Sequence, residues 1–467
     1  MRIPTAALCA AVLAVGAAPV LAPAAAPGEK DLQALQAENQ QLRQRVSSLE
    51  EKVQQLLEVA QPPAVDADKA TGGLTRRDQE ADLAARYKKM LDAEAERLAK
   101  QPGNVWSSVD VQLYGKIKAD AAFDTARTSV GNFNRWVLSE GANANDSTFN
   151  LTANETRLGL KFTGPTIDGM ATRGVVEMDF FGGGAENKPN PMLRHGYLEL
   201  AWAKSGFSLL AGQTWDLISP LNPTTLNYNP LWWVGNIGYR RAQIRATGVL
   251  CPWDGAELKL AGGIFRTIGQ DGPFDPGDAG EDSGLPGFQG RAGLTFPLWG
   301  GRKTTVGVSG HYAKEEYDLD AAGNHTDLHS WSANLDVQSA VTDWLTIKGE
   351  VFTGEDLNAY LGGIGQGVAV VGTDLRELRS FGGWVAAGLG PWGPWSFNVG
   401  FGGETICNDS DATAGMRLNN RAIFGNALYK FNDHVTTGVE LSHWHTGYKS
   451  AASGDSLRVQ WSFIYSF

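Results

Sequence analysis

The sequence predicts an all-β protein: a transmembrane antiparallel β-barrel of about sixteen strands, preceded by an N-terminal α-helical coiled-coil arm. Three observations carry that expectation. From Val109 to the C-terminus, apolar and polar residues alternate with a period of two. The connections between these runs alternate short and long, the plan of a barrel with short turns on one rim and long loops on the other. Tryptophans collect beside the short connections, where an aromatic girdle meets a membrane interface.

Composition bounds the alternatives. The 467-residue chain carries 57 Gly and 15 Trp and is 19% charged. No segment after residue 22 approaches the ~20 consecutive apolar residues that a membrane helix needs. The formal charge of -11 argues against a nucleic-acid partner held by phosphate contacts. Nothing in the pattern calls for a cofactor or a metal. Cys9 falls in the leader, and Cys251 and Cys407 fall at opposite rims of the predicted barrel. A disulfide needs Cα atoms within ~7 Å, so two free thiols are expected.

Residues 1–22 read as a secretory signal peptide. Arg2 supplies a thin positive start, Ala6 to Val20 is apolar, and Val20-Leu21-Ala22 suits cleavage. Residues 23–61 hold the coiled coil. Leu32, Asn39, Val46 and Val53 recur every seven residues, as do Leu35, Leu42, Leu49 and Leu56. These are the a and d positions of four heptads, with Asn39 fixing register. Valine at a with leucine at d leans toward two strands, and oligomerisation is implied. Residues 62–108 read as a polar linker and a charged surface helix, closed by Pro102-Gly103.

The barrel is expected over residues 109–467. In Val111–Phe123, Val111, Leu113, Ile117, Ala119 and Phe123 face one way and Gln112, Lys116, Lys118 and Asp120 the other. Such a run exceeds the usual five or six residues of a soluble strand and matches a tilted membrane strand. Sixteen runs start near residues 109, 151, 172, 192, 206, 239, 256, 288, 303, 328, 344, 380, 395, 420, 435 and 456. Short connections fall at Lys204–Gly206, Cys251–Gly255, Pro297–Arg302, Ala340–Asp343, Gly390–Pro394 and Asn432–His434. Long ones fall at Thr125–Thr148, Gly182–Pro191, Trp215–Gly238, Thr267–Gly287, Lys314–Asp327, Gly354–Arg379, Thr405–Leu418 and Thr446–Asp455. Trp202, Trp253, Trp299, Trp344, Trp392 and Trp395 sit beside short turns and form the predicted membrane girdle.

The segments VQLYGKIKADAAFD (Val111–Asp124), TRLGLKFTG (Thr156–Gly164) and LLAGQTW (Leu209–Trp215), together with the terminal aromatic Phe467, resemble Gram-negative outer-membrane porins. The leader and the coiled coil narrow the resemblance to the DcaP-like trimeric porins. It implies a sixteen-stranded homotrimer in the bacterial outer membrane, with the coiled arm in the periplasm and Phe467 read as an assembly signal. It also implies a preference for dicarboxylates. The trimer is in tension with the two-stranded lean of the coil.

The site is expected at Trp215–Gly238. Pro220, Pro223 and Pro230 forbid regular structure there, and a loop this long in a compact domain is usually functional. Its apolar knot, Leu231-Trp232-Trp233-Val234, suits an inner wall. Arg241, Gln243 and Arg245 follow on one strand face, with Arg157, Lys161, Arg173 and Arg194 or His195 on neighbouring runs. Asp216, Glu177, Asp179 and Glu199 supply the opposite sign. Basic and acidic groups across a narrow lumen make a transverse field that orders small anionic solutes. Two readings stand for Arg241 and Arg245: they line the pore, or they form salt bridges that hold the loop. The barrel segment as a whole carries 27 Lys+Arg against 37 Asp+Glu. Part of that excess lies in Asp271–Asp282 and Glu315–Asp320, read as solvated rims or as sites for divalent cations bridging lipopolysaccharide.

The predicted function is therefore a water-filled channel for small hydrophilic solutes, with lipid, lipopolysaccharide and copies of itself as partners. Two rivals remain. A barrel enzyme needs a nucleophile beside a histidine, and His311, His443 and His445 have Ser309 and Ser442 nearby in sequence. A structural tether between outer membrane and cell wall would use the coiled arm.

Overall fold

Along Ala451–Ser466, Ser456, Arg458, Gln460 and Ser462 are buried while Leu457, Val459, Trp461, Phe463 and Tyr465 are exposed. A soluble sheet does the reverse. The same inversion recurs from strand to strand, so the polar face of the period-two pattern points to an enclosed interior and the apolar face outward. The computed structural model describes residues 109–129, 131–143, 146–183, 189–269, 278–319, 323–372 and 374–467. The expected signal peptide (1–22), coiled coil (23–61) and linker with surface helix (62–108) lie outside the described residues.

Sixteen strands form one closed wall. They are β1 (Asp110–Asp124), β2 (Thr148–Thr152 continued by Arg157–Thr163), β3 (Met170–Asp179), β4 (Met192–Trp202), β5 (Phe207–Trp215), β6 (Arg240–Leu250), β7 (Glu257–Phe265) and β8 (Gly287–Leu298). Then follow β9 (Arg302–Asp318), β10 (His325–Ala340), β11 (Leu345–Glu355), β12 (Arg379–Trp392), β13 (Trp395–Ile406), β14 (Arg417–Lys430), β15 (Val435–Tyr448) and β16 (Ala451–Ser466). Each pairs antiparallel with its neighbours in sequence, and β16 pairs with β1 from Lys116↔Ser466 to Asp124↔Arg458. Gly115 and Phe467 exchange both backbone hydrogen bonds, at 3.0 and 3.1 Å. Closure leaves no free sheet edge, so every wall strand finds a partner on both sides.

The expected strand starts fall close to the observed ones; the widest miss is β16, expected near 456 and observed at Ala451. Two expected long loops are short. Lys314–Asp327 contracts to the link between Asp318 and His325, and Thr446–Asp455 to Lys449-Ser450. Strand pairing there continues through polar residues, because cross-strand hydrogen bonds do not require an apolar face. Glu315 and Tyr317 of the first segment are accordingly buried in the barrel, which corrects the solvated-rim reading for that part of Glu315–Asp320. A short turn between Thr163 and Met170 was not expected. In β2, the ladder breaks at 153–156, and buried Glu155 there pairs with Lys116 and Lys118 of β1.

Trp253, Trp299, Trp344, Trp392 and Trp395 are exposed at the short-turn rim, and Trp202 packs on Phe207. A run of ring contacts links Trp344, Trp392, Phe397, Trp395, Tyr429, Phe431 and Phe463 around that rim. Both remaining cysteines are free and exposed. Cys251 follows β6 at the short-turn rim and Cys407 follows β13 at the other, as the strand count requires.

The barrel's apolar core is made by loops folded inward. The β5–β6 loop, here called the inner loop, runs from Asp216 to Tyr239. Its Leu231 and Val234 pack on Trp384, Phe424 and Trp444, which are inward residues of β12, β14 and β15. Its Ile218 and Ile237 pack with Phe265, Phe352, Leu357 and Tyr360. Burying these four aliphatic side chains contributes on the order of 10 kcal/mol before the entropy of ordering the loop is subtracted. Gly235 makes the closest approach possible: a Cβ there would lie 2.1 Å from the Gly383 carbonyl oxygen, and its φ is +98°.

Candidate functional site

The inner loop has three prolines and no ladder, so its backbone groups need other partners. The wall supplies them. At the neck, Asp216 N–H donates to Tyr239 O at 2.8 Å, and Tyr239 N–H donates to Asp216 Oδ2 at 2.9 Å. Leu217 N–H donates to Gln289 Oε1 at 2.7 Å. Further along, Leu221 N–H donates to Glu350, while Leu226 and Asn227 N–H both donate to Glu440. Lys118 and Gln460 donate to Leu226 O, and Asn420 donates to Trp233 O. Leu231 to Val234 are buried, so the apolar knot lies against an inner wall, as its composition predicts.

Two other loops complete the plug. Tyr360 and Leu361, in the β11–β12 loop, accept hydrogen bonds from Gly238 and Trp233. In the β1–β2 loop, the Arg135 guanidinium lies 5.3 Å over the Trp233 ring. Asp356 starts the β11–β12 loop, and burial together with the nearby Glu315 carboxylate pushes its carboxyl well above the usual range.

The sequence-predicted site residues separate into three groups. Asp216, Arg241 and Gln243 form the first, beneath the loop neck. Arg241 Nε lies 2.9 Å from Asp216 Oδ1, both side chains are buried, and the guanidinium stacks 3.9 Å over Tyr360. Gln243 donates to Thr214 O and Trp215 O and accepts from Gln289. For Arg241 this is the arrangement of the salt-bridge reading, with the guanidinium bound at the loop neck, and Gln243 is bonded to the backbone beside it.

Arg157, Glu177 and Asp179 form the second group with Arg194 and His195. The β3–β4 register shifts between Glu177 and Met178, and this bulge turns both Arg194 and His195 inward. Arg194 donates to Glu177 at 2.7 Å and to Asp179 at 2.6 Å. Arg157 Nε lies 3.5 Å from Glu177. Tyr114 donates to Glu177, and Tyr228 of the inner loop donates to Asp179. The third group, Arg173 and Glu199, faces across β3 and β4 nearer the short-turn rim.

Of the β6 trio, Arg245 lines the cavity under the loop. A cavity of about 250 Å³ lies under the inner loop, with Ile218, Ser219 and Pro220 on one side and Arg245, Thr247, Lys259 and Arg291 on the other. A second cavity of about 480 Å³ lies over the loop, lined by Phe133, Phe181, Tyr228, Trp232 and Tyr239 among others. Trp232 and Tyr239 border both. Of the carboxylates near the lower cavity, Asp216 is bound by Arg241 and Asp336 by Arg291, while Glu199 faces Arg245 without a direct pair. The open wall is thus basic, while Glu350 and Glu440 are spent on loop N–H groups.

Lys259, Arg291, Glu350 and Glu440 escaped sequence reasoning. One signal was available: Trp384, Phe424 and Trp444 sit at inward positions of strands whose inward face is otherwise made of small or polar residues, which marks where a loop docks. The histidines of the enzyme rival also find their places. His443 and Ser442 are adjacent and so lie on opposite faces of β15. His311 contacts Ser332 and Ser330 rather than Ser309, and it stacks on Tyr360.

No protein-family model and no curated protein matches the sequence. Solved structures do match. The outer membrane channel DcaP of Acinetobacter baumannii is 21% identical with a TM-score of 0.64, over 77% of this chain and 98% of that one. OmpF of Salmonella typhi, solved with daunomycin, is 13% identical with a TM-score of 0.50, over 76% and 97%. The chain has the sixteen-stranded barrel fold of these channels.

Proposed function

We propose that the protein is an outer-membrane porin, a water-filled channel for passive diffusion of small hydrophilic solutes, with a constriction that favours small anions such as carboxylates. The observation that carries this is the inverted barrel with a loop lashed across its inside. Its outer face offers apolar side chains to lipid, and its polar inner face encloses cavities above and below the loop. Aromatic rings at the short-turn rim suit the periplasmic interface. The terminal Phe467, hydrogen-bonded to Gly115, suits a role in barrel assembly. Self-association as a trimer, lipopolysaccharide contact and the periplasmic coiled arm belong to the same reading.

Anion preference is supported by how the charges are used. Asp216 and Asp336 are engaged by Arg241 and Arg291, Glu350 and Glu440 by loop N–H groups, and Arg245, Lys259 and Arg291 outnumber Asp216 and the nearby Glu199 at the lower cavity. A positive lining in a low-dielectric wall concentrates anions locally even when the whole barrel is acidic. The test is the reversal potential in planar bilayers under a potassium chloride gradient. A potential on the chloride side is expected. A potassium-selective channel removes the anion preference, and a barrel that conducts nothing removes the channel.

A further inference from the structure

We propose that Arg240 is a binding station for the oxyanion head of a solute, one carboxylate at a time, inside the constriction. The proposal rests on the channel reading above and names the residue that holds the solute. Arg240 opens β6 directly opposite Trp215, at the neck of the inner loop. By strand parity it belongs to the outward face with Ala242 and Ile244. Instead it is 2% exposed, with its guanidinium 4.7 Å over the Trp215 ring and 4.9 Å over the Tyr239 ring. The Tyr228 hydroxyl lies beside it. That contact is loose, and none of the three side-chain nitrogens makes a hydrogen bond of ordinary geometry.

The neighbouring arginines are ion-paired. Arg194 holds Glu177 and Asp179, Arg241 holds Asp216, and Arg458 holds Asp124. Arg157 shares Glu177. Four guanidiniums, those of Arg157, Arg194, Arg240 and Arg241, thus share three carboxylates, Glu177, Asp179 and Asp216, and Arg240 is the one of the four without an ion pair within 4 Å. A buried cation with unmade hydrogen bonds is costly, and a planar fork of N–H donors matches a carboxylate in shape and charge.

Position supplies the access. Tyr239, on which Arg240 stacks, borders both the cavity above the loop and the cavity below it, as does Trp232. A solute crossing between the two passes these rings. Displacing the Tyr239 or Tyr228 ring brings its carboxylate onto the fork. Stacked aromatic faces keep the guanidinium in place when the site is empty.

The experiment is single-channel conductance in rising potassium acetate, for the wild type, Arg240→Gln, Arg240→Lys and, as a control at the short-turn rim, Arg302→Gln, whose guanidinium pairs with Asp343. A channel with a binding station saturates. The wild type and Arg302→Gln are expected to saturate at the same concentration, and Arg240→Gln is expected to raise the half-saturating concentration about tenfold, the scale of one lost charge-assisted bond. Arg240→Lys, which keeps the charge and loses the fork, falls between. A wild type that does not saturate, or an Arg240→Gln channel that saturates at the wild-type concentration, overturns the station and leaves the channel reading intact. Potassium preference in the wild type overturns the anion preference itself. Should Arg240→Gln fail to form channels, Arg240→Lys decides: an unchanged half-saturating concentration overturns the proposal.

Discussion

Replacing Arg241 by glutamine separates a loop clamp from a pore lining. The guanidinium pairs with buried Asp216 at 2.9 Å, donates to Ala359 O at 2.9 Å and stacks on Tyr360 at 3.9 Å. Removing it strands the Asp216 carboxylate, which keeps only the Tyr239 N–H. Breaking a buried pair by deleting one partner costs about 3–5 kcal/mol. The barrel ladder does not use Asp216, so the loss falls on the neck of the inner loop. At about 1.4 kcal/mol per factor of ten, the population with a detached neck rises at least a hundredfold. Single-channel recording should then show Arg241→Gln switching between two conductance levels where the wild type is steady. Adding Asp216→Asn neutralises the stranded carboxylate and should recover more than half of the lost time at the wild-type level. A quiet Arg241→Gln channel with wild-type thermal stability would refute the clamp. So would a double variant that is worse than the single by a full independent cost.

Arg245 lines the cavity under the loop and makes only a 3.3 Å contact with Trp215 O. Arg245→Gln should leave the recording quiet and shift the reversal potential toward cations; an unshifted potential counts against an anion-selective wall. Gly235→Ala places a Cβ 2.1 Å from the Gly383 oxygen at a φ of +98°. Overpacking of this kind costs about 1–3 kcal/mol, and the loop should lift from β12, giving a larger and noisier conductance. An unchanged trace argues that the loop docks elsewhere. Asp356 has a carboxyl raised from 3.8 by burial and by Glu315. Its neutral form is the one that fits, so the β11–β12 loop is held best in acid and loosens as pH rises through the raised value. Proteolysis of that loop should increase with pH in the wild type and stay flat in Asp356→Asn; parallel curves contradict the assignment.

The wall was legible because its rule is local. A closed barrel needs each strand to show one face to apolar surroundings and one to a polar interior, so the period of two marks strands, and glycine, proline and tryptophan mark their ends. The site was half legible. Pro220, Pro223, Pro230 and the Leu231–Val234 knot located a loop that must pack on something. Strand parity puts Arg241, Gln243 and Arg245 on one face; it does not foresee Arg240, which is buried at the start of β6 with Trp215 and Tyr239 against its guanidinium. Parity left Arg194 and His195 as alternatives, because it has no means of foreseeing a bulge that brings two consecutive residues to one face.

From residue order alone came the sixteen-stranded wall, its two unlike rims and the loop that crosses its interior. Those follow from side-chain periodicity and backbone stereochemistry, which act over a few residues at a time. Only the folded chain decided which charges are available. Arg241 meets Asp216 and Tyr360, Glu440 meets Leu226, and Arg245 meets open space because of closure between segments as far as 214 residues apart. Whether a charge clamps a loop or faces a solute depends on its partner in space, and pairing at that range leaves no trace in the local pattern.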